Sequence, residues 1–169
     1  GILGYGRNTS IFKCTNNGKV YAKTSGTNLS VSGIANGGSS ENLIVSFSKN
    51  QNDIKGVSKS TQTGTKRVAG IATNADILYS INKGKVTSIA DLDTYACGLG
   101  VNSTVYFSYN HGNIVSSKNA YALTNNNAYL SYNIGNGYRA MQTNSNIPLS
   151  RSGILLFDIN NIHDAVINN

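Results

Sequence analysis

Few side chains in this sequence are equipped for catalysis. There is one glutamate, Glu41, with six aspartates, histidines at 111 and 163, and cysteines at 14 and 97. Acid–base work by paired carboxylates would draw on Asp91 with Asp93, or on Asp158 with Asp164. The spacing Asp91-Leu92-Asp93 reads better as a turn, because Asp bonds readily to its own backbone. Asp158 and Asp164 fall where helix caps and solvent-facing positions are expected. Serine is abundant, yet none sits in the strand–turn–helix signature of a nucleophile elbow. Two separated histidines and two distant cysteines lack the spacing of a zinc site. No Walker loop is present, and the glycine cluster Gly1–Gly6 lacks the strand that must precede a dinucleotide loop. No catalytic, cofactor-binding or metal-binding residue is assigned, and the chain is expected not to be an enzyme. Cys14 and Cys97 read as two buried free thiols, with one long-range disulfide as the alternative.

A binding surface is the better expectation. Ten tyrosines accompany no tryptophan. Tyrosine offers apolar area with a hydrogen-bonding tip, which suits interfaces and sugar faces. The candidate interface or ligand surface comprises Tyr106, Tyr109, Tyr129, Tyr132 and Tyr138, with Asn110 and His111 in an adjoining turn. If Tyr106 and Tyr109 share one strand, and Tyr129 and Tyr132 another, each pair points to opposite faces. Half of these rings would then serve the core or a subunit contact.

Composition narrows the class. Charged residues make up 12% of the 169, the net charge is +7, and 25 residues are asparagine. No apolar run is long enough to span a bilayer as a helix, and no secretory signal opens the chain. From Gly1 to Lys85 there are 11 basic and 3 acidic residues, and from Val86 onward 3 basic and 4 acidic. The basic residues of the first half are mostly single, as on solvated strand faces and guarded sheet edges. Lys66-Arg67 is the one adjacent pair, so specific nucleic-acid binding is not expected. Three Asn-x-Ser/Thr sequons, at Asn8, Asn28 and Asn102, are what chance gives in such a composition.

The elements that must carry these residues come from an internal echo. Gly6–Val20 aligns without a gap on Gly100–Ile114. Each has Gly, Asn, two hydroxyl residues, an apolar–aromatic pair, Asn-x-Gly and a β-branched residue. Further copies begin at Asn74 and Asn125, and weaker ones run from Asn42 to Ile54 and from Ser152 to Ile162. Ile11-Phe12, Ile77–Tyr79 and Val105–Phe107 favour strands, and Asn-x-Gly reverses a chain because both residues tolerate positive φ. The echo spacing shrinks from Asn8 through Asn42, Asn74 and Asn102 to Asn125, whereas repeat arrays hold a fixed period. The expected fold is therefore all-β, an antiparallel hairpin-built sandwich or barrel-like domain rather than a solenoid or propeller. It covers residues 1–157, with a division into 1–40 and 41–157 as the alternative. Residues 158–169 form a short C-terminal helix or the start of a following element.

From Asn42 to about Ser117 the order of features resembles a β-rich domain of tailed-phage virion proteins. The features are Leu43–Phe47, Ile54–Lys59, Arg67–Thr73, Gly84–Thr87 and Gly100–Ser108, followed by Asn110-His-Gly112. Two positions depart from that pattern, Cys97-Gly-Leu-Gly100 and the apolar Asp76–Ile81. The resemblance implies a structural part of a fibre, spike or capsid decoration in the virion. It also implies a homotrimer in contact with other virion proteins and a host-surface glycan. A lectin-like carbohydrate-binding module using the repeated hairpins is the alternative.

Overall fold

The computed structural model describes residues 1–40, 42–134 and 138–140. Over these residues the chain winds as a β-solenoid of about four turns, built wholly from parallel sheets. The first coil holds β1 (Leu3–Gly6), β2 (Thr9–Phe12), β3 (Thr15–Asn16), β4 (Val20–Thr24) and β5 (Leu29–Ser32). The second holds β6 (Ala35–Gly37), β7 (Leu43–Ser46), β8 (Lys49–Asn50), β9 (Ile54–Ser58) and β10 (Lys66–Ala69). The third holds β11 (Ala72–Thr73), β12 (Asp76–Leu78), β13 (Ile81–Asn82), β14 (Val86–Ile89) and β15 (Thr94–Cys97). The fourth holds β16 (Gly100–Val101), β17 (Thr104–Tyr106), β18 (Tyr109–Asn110), β19 (Ile114–Ser116) and β20 (Asn119–Tyr121). A bridge from Gly100 to Thr124 opens the next coil, which continues with β21 (Ala128–Tyr129), β22 (Tyr132–Asn133) and β23 (Tyr138–Ala140). Each strand stacks on its counterpart in the neighbouring coil, giving five sheets.

The antiparallel sandwich or barrel expected from the sequence is thus overturned, and the reason lies in Asn-x-Gly. The segment turns a corner between two faces of one coil instead of reversing the chain. Asn82 shows how. Its amide donates to Gly84 O (2.8 Å) and to Asn110 Oδ1 in the next coil (2.7 Å), while its carbonyl oxygen accepts from Gly84 N (3.2 Å) and from Asn50 Nδ2 (2.7 Å). Two donors and two lone pairs are all used, so an amide can be fully buried there. The same ladder runs from Asn16 to Asn50 and from Asn110 to Asn133. Glycine at this corner is set by proximity. A Cβ on Gly84 would lie 1.9 Å from Asn52 O, and one on Gly112 would lie 1.9 Å from Gly84 O.

A second corner uses hydroxyls. Ser48, Ser80 and Ser108 each donate to the carbonyl two residues earlier, at 2.7–2.9 Å. Each Oγ also accepts the corner amide of the preceding coil, from Cys14 N (3.2 Å), Ser48 N (3.1 Å) and Ser80 N (2.9 Å). The residue before each hydroxyl is left-handed: Phe47 at φ 51°, Tyr79 at 47° and Phe107 at 46°. Cys14 occupies the serine position in the first coil and is partly exposed, whereas Cys97 is buried. Both thiols are free, and burial pushes the Cys97 thiol pKa up.

Beside a small cluster of Ala69, Cys97, Val101 and Tyr121, apolar rows fill two larger lobes of the interior. Val45, Ile77 and Val105 stack with Ile34, Ile71, Leu99 and Leu123 in one, and Ile54, Val86 and Ile114 with Val31 and Val68 in the other. Between the lobes Gly70 lies against the Asn82 amide, so close that a Cβ would come within 2.5 Å of Asn82 Cγ; Gly33 and Gly98 meet Asn50 and Asn110 likewise.

The shrinking echo is the coil register itself. Thr9 sits on Leu43, Ile44 on Asp76, Asp76 on Thr104 and Val105 on Ala128, steps of 34, 32, 28 and 23 residues. Extra residues are housed in corner connections such as 59–65, so strand rows stay aligned while the period varies. The expected C-terminal helix and the echo from Ser152 to Ile162 lie outside the described residues.

Candidate binding surface

Strands that put one side chain inward and the next outward repeat their outward residues at the inter-strand spacing in a solenoid, which makes continuous rows. The left-handed corner carries the longest aromatic row, extended at one end by Phe12 of β2. Phe12 meets Phe47 edge-on at 5.4 Å, Phe47 stacks on Tyr79 at 4.8 Å, and Tyr79 stacks on Phe107 at 5.0 Å. Phe12, Phe47 and Tyr79 keep 57%, 50% and 46% of their surface in solvent. Phe47, Tyr79 and Phe107 were not singled out as site residues in the sequence. The register Lys13, Phe47, Tyr79, Phe107, Leu130, each followed by Cys or Ser, was the signal available.

The tyrosines that were singled out occupy the flanking faces. Tyr106 and Tyr109 do not share a strand. They lie on β17 and β18, on either side of the corner at Phe107-Ser108, and their inward neighbours are Val105 and Asn110. Tyr106 stacks on Tyr129 (5.2 Å, 14° between planes) and Tyr109 on Tyr132 (5.2 Å, 12°). Tyr129 is exposed, while Tyr132 is buried at 4%. Burial raises both the Tyr109 and the Tyr132 phenol pKa, and at Tyr132 the Tyr109 phenol adds to the effect. Asn110 is fully buried in the amide ladder, so it belongs to the scaffold and not to a ligand surface. His111 is exposed beside Tyr109, and partial desolvation, helped by Lys83, lowers its pKa. Tyr138 lies on β23, and its side chain is outside the described residues.

Asp91 and Asp93 are exposed at the β14–β15 corner, Asp93 with φ 42°, as turn chemistry requires. Lys66 is not a solvated lysine. It is fully buried, and its Nζ donates to Gln62 O at 3.2 Å. Among the described residues no three His, Cys, Asp or Glu side chains converge as a metal site would need.

A polar cleft of about 290 Å³ opens where β7, β12 and β17 begin, lined by Ser39, Asn42, Asn74, Asp76, Asn102 and Thr104 among others. Gly38, Ser39 and Asn42, between β6 and β7, supply one side of it. Asn74 and Asn102 are left-handed, at φ 48° and 51°.

Comparison with protein-family models, curated proteins and solved structures gives no match to this chain.

Proposed function

We propose that this protein is a non-catalytic structural segment of a fibre, spike or decoration of the kind carried by tailed-phage particles, working as a rod that docks side by side on copies of itself. The observation that carries the reading is the half-exposed aromatic row Phe12–Phe47–Tyr79–Phe107. Exposed apolar stripes of this kind mark contact surfaces. From Phe47 to Phe107 the rings are stacked face to face, with 17° and 6° between planes, so they present edges to solvent. Sugars dock on ring faces, whereas ring edges pack against other side chains. Among the described residues every strand pairing is parallel, so the hairpin turns on which a repeated lectin site would rest do not occur there. The similarity of residues 42–117 to virion domains supports the setting, and three copies about one axis would cover the stripe on each.

Light scattering on the purified protein is expected to give a trimer mass, and Phe47→Ser with Tyr79→Ser a monomer that keeps its far-ultraviolet spectrum. A monomer at every concentration overturns the docking role. Failure of an antibody against the chain to label phage particles of the source overturns the setting.

A further inference from the structure

We propose that the corner between the β3–β8–β13 face and the β4–β9–β14 face binds single-stranded nucleic acid, holding its phosphates and one base face without reading sequence. The proposal does not depend on the side-by-side docking of copies, which uses the neighbouring aromatic corner. Two observations carry it.

The first is charge. Residues 1–71 hold nine basic and two acidic residues, whereas residues 72–169 hold five of each. Along the chain these lysines are scattered singly, and coil stacking gathers them. Lys49 on β8 lies between Thr15 and Ile81 in an outward row. Lys83 follows on the same side of the corner, its backbone amide donating to Asn50 O at 2.8 Å. Across the corner, Val20, Ile54 and Val86 stack, which puts the residues before them, Lys19, Asp53 and Lys85, in one row. Lys55 stacks beside Tyr21, and Lys23 beside Val57. All six lysines except Lys49 are exposed, and Lys49 is partly so. Asp53 sits among them, with its Oδ1 accepting from the Lys85 backbone amide at 3.1 Å. Neighbouring rows are about 4.8 Å apart and successive outward residues about 7 Å apart, so a polymer with one charge per unit meets several ammonium groups at once. A surface of one sign concentrates such a polymer.

The second is an exposed ring inside this patch. Tyr21 points outward from β4 between Lys19 and Lys23 and keeps 61% of its surface in solvent, with Lys55 Nζ 6.0 Å from its ring centroid. Its ring stands outside the three aromatic rows. A positive surface with an accessible ring suits an unpaired strand. The ammonium groups follow the phosphates, the ring takes a base face, and neither distinguishes one base from another. Lysine is a hydrated point charge, which suits phosphate contacts that fix position rather than identity. A duplex keeps its base faces stacked and an acidic polypeptide has none, so neither would draw on Tyr21 as a stacking platform.

The test is fluorescence anisotropy of the full chain with labelled oligothymidylate and oligouridylate of about 16 nucleotides, set against duplex DNA, polyglutamate and phosphatidylserine vesicles. At least one single strand is expected to bind with a Kd between about 1 and 100 μM, more tightly than the three comparison ligands. With about four phosphates contacted, the logarithm of affinity should fall against the logarithm of salt with a slope of about −3. Lys19→Gln with Lys55→Gln should bring that slope to about −1.5. Tyr21→Leu should weaken binding about tenfold and leave the slope in place. Lys118→Gln, at the β19–β20 corner, should leave both near their wild-type values. Lys19, Lys55 and Tyr21 are exposed, so the variants should keep the far-ultraviolet spectrum of the parent. Failure of both single strands to bind at low salt overturns the proposal. So does a duplex, polyglutamate or vesicle bound as tightly, an unchanged slope in the lysine variant, or full affinity in Tyr21→Leu.

Discussion

Asn82 and Gly70 show how little latitude the interior leaves a single side chain. Asn82 spends its full hydrogen-bonding capacity on its own corner and on the two coils that flank it. Truncation leaves Asn50 and Asn110 each one partner short in a buried setting, and an unmade buried hydrogen bond costs about 1–3 kcal/mol. Asn82→Ala is expected to lower the unfolding free energy by about 2–4 kcal/mol in urea titrations. Asn17→Ala, exposed in the same motif one residue after the ladder, should stay within about 0.5 kcal/mol of wild type. Gly70 is bound by space. A methyl group there would lie 2.0 Å from Gly98 O and 2.5 Å from Asn82 Cγ, both held by the stack. Gly70→Ala should therefore cost at least about 3 kcal/mol or prevent folding. Gly4→Ala, whose Cβ would meet nothing within 4 Å, should leave the melting temperature nearly unchanged.

The corner element is where local strain and stacking are traded. Tyr79 holds φ 47° while its ring stacks between Phe47 and Phe107. A left-handed residue with a Cβ is disfavoured by roughly 1–2 kcal/mol, and two ring contacts return about 0.5–1.5 kcal/mol each. Tyr79→Ala removes the contacts and keeps the strain, so a loss of about 1–2 kcal/mol is expected. Tyr79→Gly should be at least as stable as the alanine variant, because glycine relieves the strain, and Tyr79→Val should be the least stable of the three. Thermal melts of the three variants give the order, and an alanine variant above glycine would mean that strain has no part in the corner. These elements also show what was legible in the sequence. Strand segments such as Leu43–Ser46 and Val105–Tyr106 were readable from β-branched and aromatic residues, although Phe47 and Phe107, read with them, turn the corner instead, and the Asn-x-Gly units were readable as turns. Their sense was not. Asn-x-Gly in a hairpin and Asn-x-Gly at a coil corner look alike in one copy, and the two differ only in whether the amide finds another Asn one coil away. The cleft was hidden for a related reason, since Asn42, Asn74 and Asn102 lie far apart along the chain and meet only when coils stack.

At the scale of the molecule, variable coil length conceals a constant register. The echo from Asn8 to Asn125 looks too irregular for a repeat protein, yet its steps match the strand pairing residue for residue. A structure of this kind is held by contacts between neighbouring coils, so its stability approximates a sum of coil and interface contributions. The third coil can therefore be excised cleanly. Ala72 pairs with both Ala35 and Gly100, so deleting residues 72–99 joins Ile71 to Gly100 and places Gly100 where Ala72 stood on Ala35. Ile71 takes the place of Leu99, its counterpart in the same apolar row. The shortened chain is expected to fold with the parallel-strand circular dichroism of the parent and to unfold cooperatively. Its urea m-value should fall roughly in proportion to the surface removed. Deleting residues 72–85, half a coil, puts Val86–Ser88 on Ala35–Gly37, so inward side chains still point inward but the Asn and Ser corner ladders lose their counterparts one coil below, and the chain should be unfolded or aggregated. If the half-coil deletion folded as well as the full one, the stack of registered coils would not be what holds the molecule together.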